Sequence, residues 1–278
     1  MENEMEVLYG DRFSIINMPD KQFVNLFFID ILVDGEKIPL VFDTGASITA
    51  ICESVANSIG ALPSSDSIKI GGNTGRTEKV TKSTIPMFQI GHNTIKNISV
   101  ITIPDNQLDF GFDEEGNKLS VNGFLGWDVI NKFKWIINPH DRTYIIEKPE
   151  GIGSEEQLFW DNMPIINVKF DNHEMSFGFD SGNTESMFSK EFIPYLKAKE
   201  EKVDEIVGVG GIIEEEVYLI NSIELTIGNQ NIELENISVL KRDIFPTSDF
   251  KVMGLLAADI IQNYKCVIDF TNNNFKLI

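Results

Sequence analysis

The chain has 278 residues, enough for about two units of ordinary domain size. Hydrophobic residues make up 42% and charged residues 24%, as in a globular protein with its own core. The 43 Asp and Glu against 23 Lys and Arg give a formal charge of −20 and leave no basic run, which argues against nucleic-acid and anionic-membrane partners.

The same balance argues against strongly acidic working conditions. With every carboxylate protonated, 23 Lys and Arg and 3 His would still carry positive charge and repel one another. No stretch is apolar for long enough to span a bilayer as a helix. The start, Met1 to Glu6, is acidic, whereas a secretory signal begins positive and turns apolar. Cys52 and Cys266 form no CxxC and no disulfide framework, which suits a reducing compartment, and the cytoplasm is the expected location. His92, His140 and His173 are scattered without metal-ligand spacing, so no metal or other cofactor is expected.

In chain order, residues 1–24 come first as an arm that adds a strand or bridges two lobes. From Ile29 an alternating strand runs to the turn Asp34-Gly35, and a second strand ends in Asp43-Thr44-Gly45. Glu53 to Ile59 reads as a short helix stopped by Gly60. Ile70-Gly71-Gly72 marks a hairpin tip, Asn97-Ile98-Ser99-Val100 lies in a later strand, and a polar loop runs from about Pro104 to Asn122. Gly123-Phe124-Leu125-Gly126-Trp127-Asp128 leads into a second short helix, and the strand around Trp135 follows. Pro149 to Glu156, rich in Gly and charge, is the linker.

After the linker the chain repeats itself. Asp180-Ser181-Gly182 stands 137 positions after Asp43-Thr44-Gly45. At that offset Ile29 falls on Ile166, Ile31 on Val168, Val33 on Phe170 and Phe42 on Phe179, with Asp171-Asn172 as the turn. Val209-Gly210-Gly211 answers the first Gly-Gly, and Asn236-Ile237-Ser238-Val239 repeats the Asn segment letter for letter. Gly254-Leu255-Leu256-Ala257-Ala258-Asp259 and Cys266-Val267-Ile268-Asp269 complete the second copy. Ser189 N-caps a short helix through Leu196, limited by Pro194. The expected organisation is an arm (1–24), one lobe (25–148), a linker (149–156) and a second lobe (157–278). The fold class is all-β with a few short helices.

A lone Asp-Thr-Gly would be an ordinary turn, with Asp bonding local backbone and Gly supplying positive φ. Two such triplets, each closing an apolar strand in register within a repeat, ask for more. Copies packed about a pseudo-twofold axis bring equivalent loops face to face. Asp43 and Asp180 would then share one site and one proton, because two touching carboxylates do not both ionise readily. One carboxylate can take a proton from water while the other polarises a carbonyl oxygen.

These residues resemble the retropepsin-type aspartic proteases. The resemblance rests on Asp43-Thr44-Gly45-Ala46-Ser47, the Gly-Gly hairpins and Phe124-Leu125-Gly126-Trp127-Asp128, and extends from about Phe27 to Ile278. The duplication gives a single-chain, two-lobed version, similar in logic to pepsin-like enzymes. The resemblance implies two similar β-barrel lobes with the active site between them, and hydrolysis of peptide bonds by Asp43 and Asp180. It implies interlocked hydroxyls at Thr44 and Ser181, and close backbone approach at Gly45 and Gly182. It further implies flap hairpins with tips at Gly71-Gly72 and Gly210-Gly211, and packing of segments 124–126 and 255–257 behind the active-site loops. A peptide or protein substrate and a monomer are expected.

The sequence departs from the family pattern at Asn183, where a small or hydroxyl residue is usual, and at Ala257, where glycine is expected. Neither flap carries a tyrosine. An alternative is a pseudo-protease that binds extended peptides without cutting them; the intact Asp pair favours the enzyme. A glycosidase also uses two carboxylates, but gives no reason for the Thr/Ser-Gly after each.

The acidic clusters Asp113-Glu114-Glu115, Glu200-Glu201 and Glu214-Glu215-Glu216 read as solvated surface; the alternative for the last, which follows the second Gly-Gly tip, is a bias of the cleft toward basic peptides. Phe27, Phe28, Trp135 and Trp160 read as core or lobe interface. Asn97 and Asn236 begin Asn-Ile-Ser sequons, which matter only in a glycosylating pathway.

Overall fold

A computed structural model of the chain describes residues 4–11, 13–19, 25–71, 77–112, 118–150, 157–208, 211–244 and 251–278. Strands dominate, and each repeat builds one lobe. The hairpins leading to the Asp triplets form as the turn residues dictate. Phe28–Val33 pairs with Glu36–Phe42 around Asp34 (φ 51°) and Gly35 (φ 87°). Pro164–Phe170 pairs with His173–Asp180 around Asp171 (φ 44°) and Asn172 (φ 66°). Two successive left-handed residues match the twist of a tight hairpin, and Asp, Asn and Gly tolerate that region.

Six strands of the first lobe form a closed ring. In order they are Phe28–Val33, Glu36–Phe42, Gly123–Leu125, Ala50–Cys52, Asn93–Ile103 and Thr77–Ile90, with Leu32 meeting Gln89 at the closure. The second lobe repeats the order with Pro164–Phe170, His173–Asp180, Gly254–Ala257, Met187–Phe188, Gln230–Leu240 and Gly211–Ile227, closing at Lys169 and Thr226. Both closing pairs are separated by the repeat offset of 137. The recurring Asn also has a backbone reason. Asn97 (φ 53°) and Asn236 (φ 56°) are left-handed residues within strands, and Asn accepts that conformation better than the branched residues around it.

The helices are short, as expected. Glu53–Ser58 is α-helical and ends before Gly60 at φ 63°. Trp127–Ile130 begins one residue ahead of Asp128. Their counterparts in the second lobe, Lys190–Tyr195 and Ala258–Ile261, are 3₁₀ turns. Pro194 lacks the amide that a longer helix would need, and Ser189 caps the first of these turns by accepting from Glu191 N at 3.3 Å. The first-lobe loop contains a small hairpin, Asp109–Phe112 with Lys118–Ser120, that polar composition does not reveal.

A five-stranded antiparallel sheet joins the lobes, in the order Phe13–Asn17, Thr143–Glu147, Lys134–Asn138, Cys266–Asp269 and Asn274–Leu277. The junction lies between Lys134–Asn138 and Cys266–Asp269. The arm supplies the edge strand Phe13–Asn17 and a separate strand, Glu6–Leu8, that pairs with Asn93–Ile103. One buried cluster runs through both lobes and includes Phe27, Phe42, Trp135, Phe179 and Phe275. Trp135 is edge-on to Phe42 at 4.9 Å, as Phe275 is to Phe179. Phe28 belongs to a second buried cluster in the first lobe. Trp160 is half-exposed and stacks on Trp127 of the other lobe, with ring planes 7° apart.

Candidate active site

Asp43 follows strand Glu36–Phe42, and Asp180 ends strand His173–Asp180. Each strand is held by a parallel neighbour, with Leu125 beside Phe42 in one lobe and Ala257 beside Asp180 in the other. Beyond each Asp the chain turns back on its carboxylate. Asp43 Oδ1 accepts from Gly45 N at 2.8 Å and Ala46 N at 2.9 Å. Asp180 Oδ1 accepts from Gly182 N at 3.0 Å. A short carboxylate that bonds amides two or three residues ahead is the local preference of Asp.

The two loops interlock. Thr44 Oγ1 donates to Phe179 O at 2.7 Å and accepts from Ser181 N at 2.9 Å. Ser181 Oγ donates to Phe42 O at 2.7 Å and accepts from Thr44 N at 3.1 Å. Both hydroxyl residues are fully buried, so each satisfies polar backbone of the opposite lobe that water does not reach.

This crossing brings the carboxyl groups together. Gly45 lies so close to the Asp180 carboxyl, and Gly182 to that of Asp43, that a Cβ at either glycine would overlap it. Each carboxyl thus sits against the glycine that follows the other Asp. Asp43 is 9% exposed, and Asp180 is somewhat more open. Burial is the largest influence on both and favours the neutral acid. Asp43 is held well above the usual carboxylate range, because the negative charge of Asp180 adds to burial. Asp180 is also raised, chiefly by burial, while hydrogen bonds from backbone amides oppose the rise. The arrangement therefore favours one proton shared by the pair.

A second layer supports each loop. Asp128 Oδ1 accepts from Thr49 N at 3.0 Å and Thr49 Oγ1 at 2.7 Å, and Thr49 Oγ1 accepts from Gly126 N at 3.0 Å. In the second lobe Asp259 accepts from Ser186 N at 2.7 Å and Ser186 Oγ at 2.6 Å, and Ser186 Oγ accepts from Ala257 N at 2.9 Å. Burial raises both Asp128 and Asp259, while these hydrogen bonds pull them down. The sequence reading missed Thr49 and Ser186, although they stand at the same offset of 137.

Ala257 is accommodated. A Cβ on Gly126 would come within 2.6 Å of Ile48 C and Thr49 N. The first-lobe loop is held close, by Trp127 N to Ala46 O at 2.7 Å. The corresponding bond in the second lobe, Ala258 N to Asn183 O, is longer at 3.1 Å. Ala257 has extended backbone (φ −106°), which any residue adopts, and the looser loop gives its methyl room. Asn183 N also bonds its own Asp180 O at 3.3 Å.

Of the expected flap residues, Gly71 ends strand Leu62–Gly71 opposite Thr77, and Gly211 opens strand Gly211–Ile227 opposite Gly208. Gly72 and Gly210 lie outside the described residues, as do Asp113-Glu114-Glu115 and most of the linker. The second hairpin is tied to its lobe. Lys241 bridges Glu201 (3.0 Å) and Glu216 (3.2 Å), and Arg242 Nε meets both Glu215 oxygens at 3.0 Å. Two members of the Glu214-Glu215-Glu216 run thus meet cations within the chain, Glu216 sharing Lys241 with Glu201.

Among the described residues, no group of three or more His, Cys, Asp or Glu could hold a metal ion. No helix among them is long and apolar enough to cross a membrane.

Two β-barrel lobes, related by an internal repeat and meeting at paired Asp loops, form the architecture of the aspartic proteases. Residues 29–132 match the family described as "gag-polyprotein putative aspartyl protease", and residues 160–269 match the family described as "Retroviral aspartyl protease". Each match takes one repeat, so the chain belongs to the retropepsin-like aspartyl proteases as a tandem duplication in one polypeptide. The aspartic proteinase from Irpex lacteus is similar in fold, with a TM-score of 0.56 over 95% of this chain and 96% of that chain, at 14% identity. No curated protein matches the chain.

Proposed function

We propose that the chain is an aspartic endopeptidase in which Asp43 and Asp180 act together on a water molecule. The observation that carries this reading is the crossing of the two loops, which sets each carboxyl, one from each repeat, against the glycine that follows the other. The family matches of both halves support it. An extended peptide would lie between the lobes, with the hairpins carrying Gly71-Gly72 and Gly210-Gly211 closing over it.

The chemistry follows from the shared proton. The ionised carboxyl of the pair takes a proton from water as the water oxygen bonds to the peptide carbonyl carbon. Its protonated partner gives its proton to the carbonyl oxygen, so no oxyanion is left uncompensated. The carboxyl that took the water proton passes it to the amide nitrogen while its partner takes a proton back from a hydroxyl of the resulting diol, so the C–N bond breaks to an amine and a carboxylic acid and the singly protonated pair is restored. No covalent enzyme intermediate is required.

The interlocked hydroxyls of Thr44 and Ser181 hold the two halves of the pair in register, and the Asp128 and Asp259 networks hold the loops from behind. The test is digestion of a peptide library by wild type, Asp43→Asn and Asp180→Asn from acidic to neutral pH. Cleavage by wild type alone supports the reading. Peptide binding with no cleavage by wild type would make the chain a peptide-binding pseudo-protease instead.

A further inference from the structure

Side chains alternate between the two faces of a strand. Phe42 and Phe179, next to the Asp residues, turn into the buried cluster that runs through both lobes. Val41 and Gly178, two residues before Asp43 and Asp180, therefore share the face of the carboxyls. Strand register extends each into a row. In the first lobe Phe28 and Phe124 flank Val41, and Ala50 lies beyond Phe124. In the second lobe Ile165 and Leu255 flank Gly178, and Met187 lies beyond Leu255.

The two rows are counterparts in the repeat but differ in stiffness. The first is branched and aromatic. Val41 and Ala50 are buried in a cluster with Leu26, Leu108 and Val121, and Phe124 is the member left partly exposed. The second row has a gap at Gly178, filled from the side by Met163, the counterpart of Leu26. A Cβ on Gly178 would overlap Met163 Sδ and come within 3.0 Å of Leu255 Cδ2. The partly exposed member here is Met187. It packs with the cluster of Met163 and Leu255, and with the cluster of Ile206 and Val217 in the second hairpin.

We propose that these rows make the cleft asymmetric in what it recognises. Met187, backed by Met163, forms a yielding subsite beside Asp180 that accepts apolar side chains of varied size. Val41 and Phe124 form a fixed subsite beside Asp43 that selects among them. This rests on the endopeptidase reading, in which the two residues flanking the cut lean on opposite lobes. An unbranched thioether has three rotatable bonds and refills a space of changed shape, which is how adaptable binding surfaces use methionine. A β-branched Val and a packed Phe ring have no such freedom. Gly178 gives the Met163 thioether its room, since the place of a Cβ there is taken by a side-chain end and not by backbone.

The test is kcat/KM for two peptide series, each varying one residue beside the cut from Ala through Leu to Trp. Wild type should tolerate one position within about tenfold and discriminate about 100-fold at the other. Gly178→Ala meets only side-chain ends that can move, so the fold is kept, and it should sharpen discrimination at the tolerant position about tenfold. Met187→Ile keeps the apolar volume and suits a strand, and should act in the same direction. Phe124→Leu should change the other position alone. Equal stringency at both positions in wild type, or a tolerant position that neither Gly178→Ala nor Met187→Ile alters, overturns the proposal. If Gly178→Ala fails to fold, Met187→Ile decides. Reduced-amide peptides, which cannot be cut, carry the same two series into a binding measurement. A wild type that cuts nothing but binds them with this asymmetry defeats the endopeptidase reading and upholds the two subsites; equal binding, or none, defeats both.

Discussion

Thr44 and Ser181, 137 residues apart, each donate a hydroxyl proton to a carbonyl of the other lobe and each accept the other's amide. The four bonds form a closed, buried crossing, so neither hydroxyl can leave without stranding a donor and an acceptor. Thr44→Val and Ser181→Ala should each cost about 1–3 kcal/mol of stability. Because both act in one network, the double variant should lose less than the sum of the two. Urea unfolding of the four proteins measures this, and strict additivity would contradict a shared network.

Gly45 and Gly182 are held to glycine by the opposite lobe, each pressed against the other triplet's carboxyl. Neither has a positive φ, so alanine fits the backbone and fails only at that contact. Gly45→Ala and Gly182→Ala should therefore push the carboxyls apart and lower peptide cleavage by about 100-fold or more. Far-ultraviolet circular dichroism should show the fold retained. Full turnover in either variant would contradict the close approach.

The two lobes should respond differently to a methyl group behind their Asp loops. Gly126→Ala drives a Cβ into the backbone of Ile48 and Thr49, and should cost about 1–3 kcal/mol. Ala257→Gly should change stability by less than about 1 kcal/mol, since the longer Ala258–Asn183 bond already makes room. Thermal unfolding of both variants separates the cases. A Gly126→Ala protein as stable as wild type would contradict the tighter packing of the first loop.

Stability should fall as pH rises from mildly acidic toward alkaline. Asp43, Asp180, Asp128 and Asp259 are all raised in the folded chain, chiefly by burial. A carboxyl with a raised folded pKa holds its proton more tightly folded than unfolded. Its contribution is present in full below the unfolded value, near 4, and is lost as pH climbs through the folded value. Repulsion within a chain of charge −20 acts in the same direction. The unfolding midpoint should be higher at pH 5 than at pH 8, and Asp43→Asn should narrow that gap. A midpoint that rises over this interval would contradict the assignment.

What could be read from the sequence was what the repeat and local chemistry encode. The offset between Asp43 and Asp180 locates both loops, and Asp34-Gly35 and Asp171-Asn172 locate the turns before them. Gly60 and Pro194 bound the short helices. Contacts settled by tertiary register were harder to see. Phe13–Asn17 pairs with a strand about 130 residues away, and no local pattern names that partner. The Thr49–Asp128 and Ser186–Asp259 bonds join residues 79 and 73 positions apart, although their residue types recur in both copies. The run Glu214-Glu215-Glu216 looks uniformly acidic, but only the fold shows that Glu215 and Glu216 meet Arg242 and Lys241.

The central claim is that Asp43 and Asp180 act as one acid–base unit. The most direct measurement is the pH dependence of kcat/KM for a cleaved peptide, with wild type and with each Asp→Asn variant. Wild type should give a bell-shaped profile whose two limbs belong to the pair. Each single variant should lose about 1,000-fold or more across the whole range. A variant lacking either carboxyl that still cleaves at the wild-type rate would contradict the account.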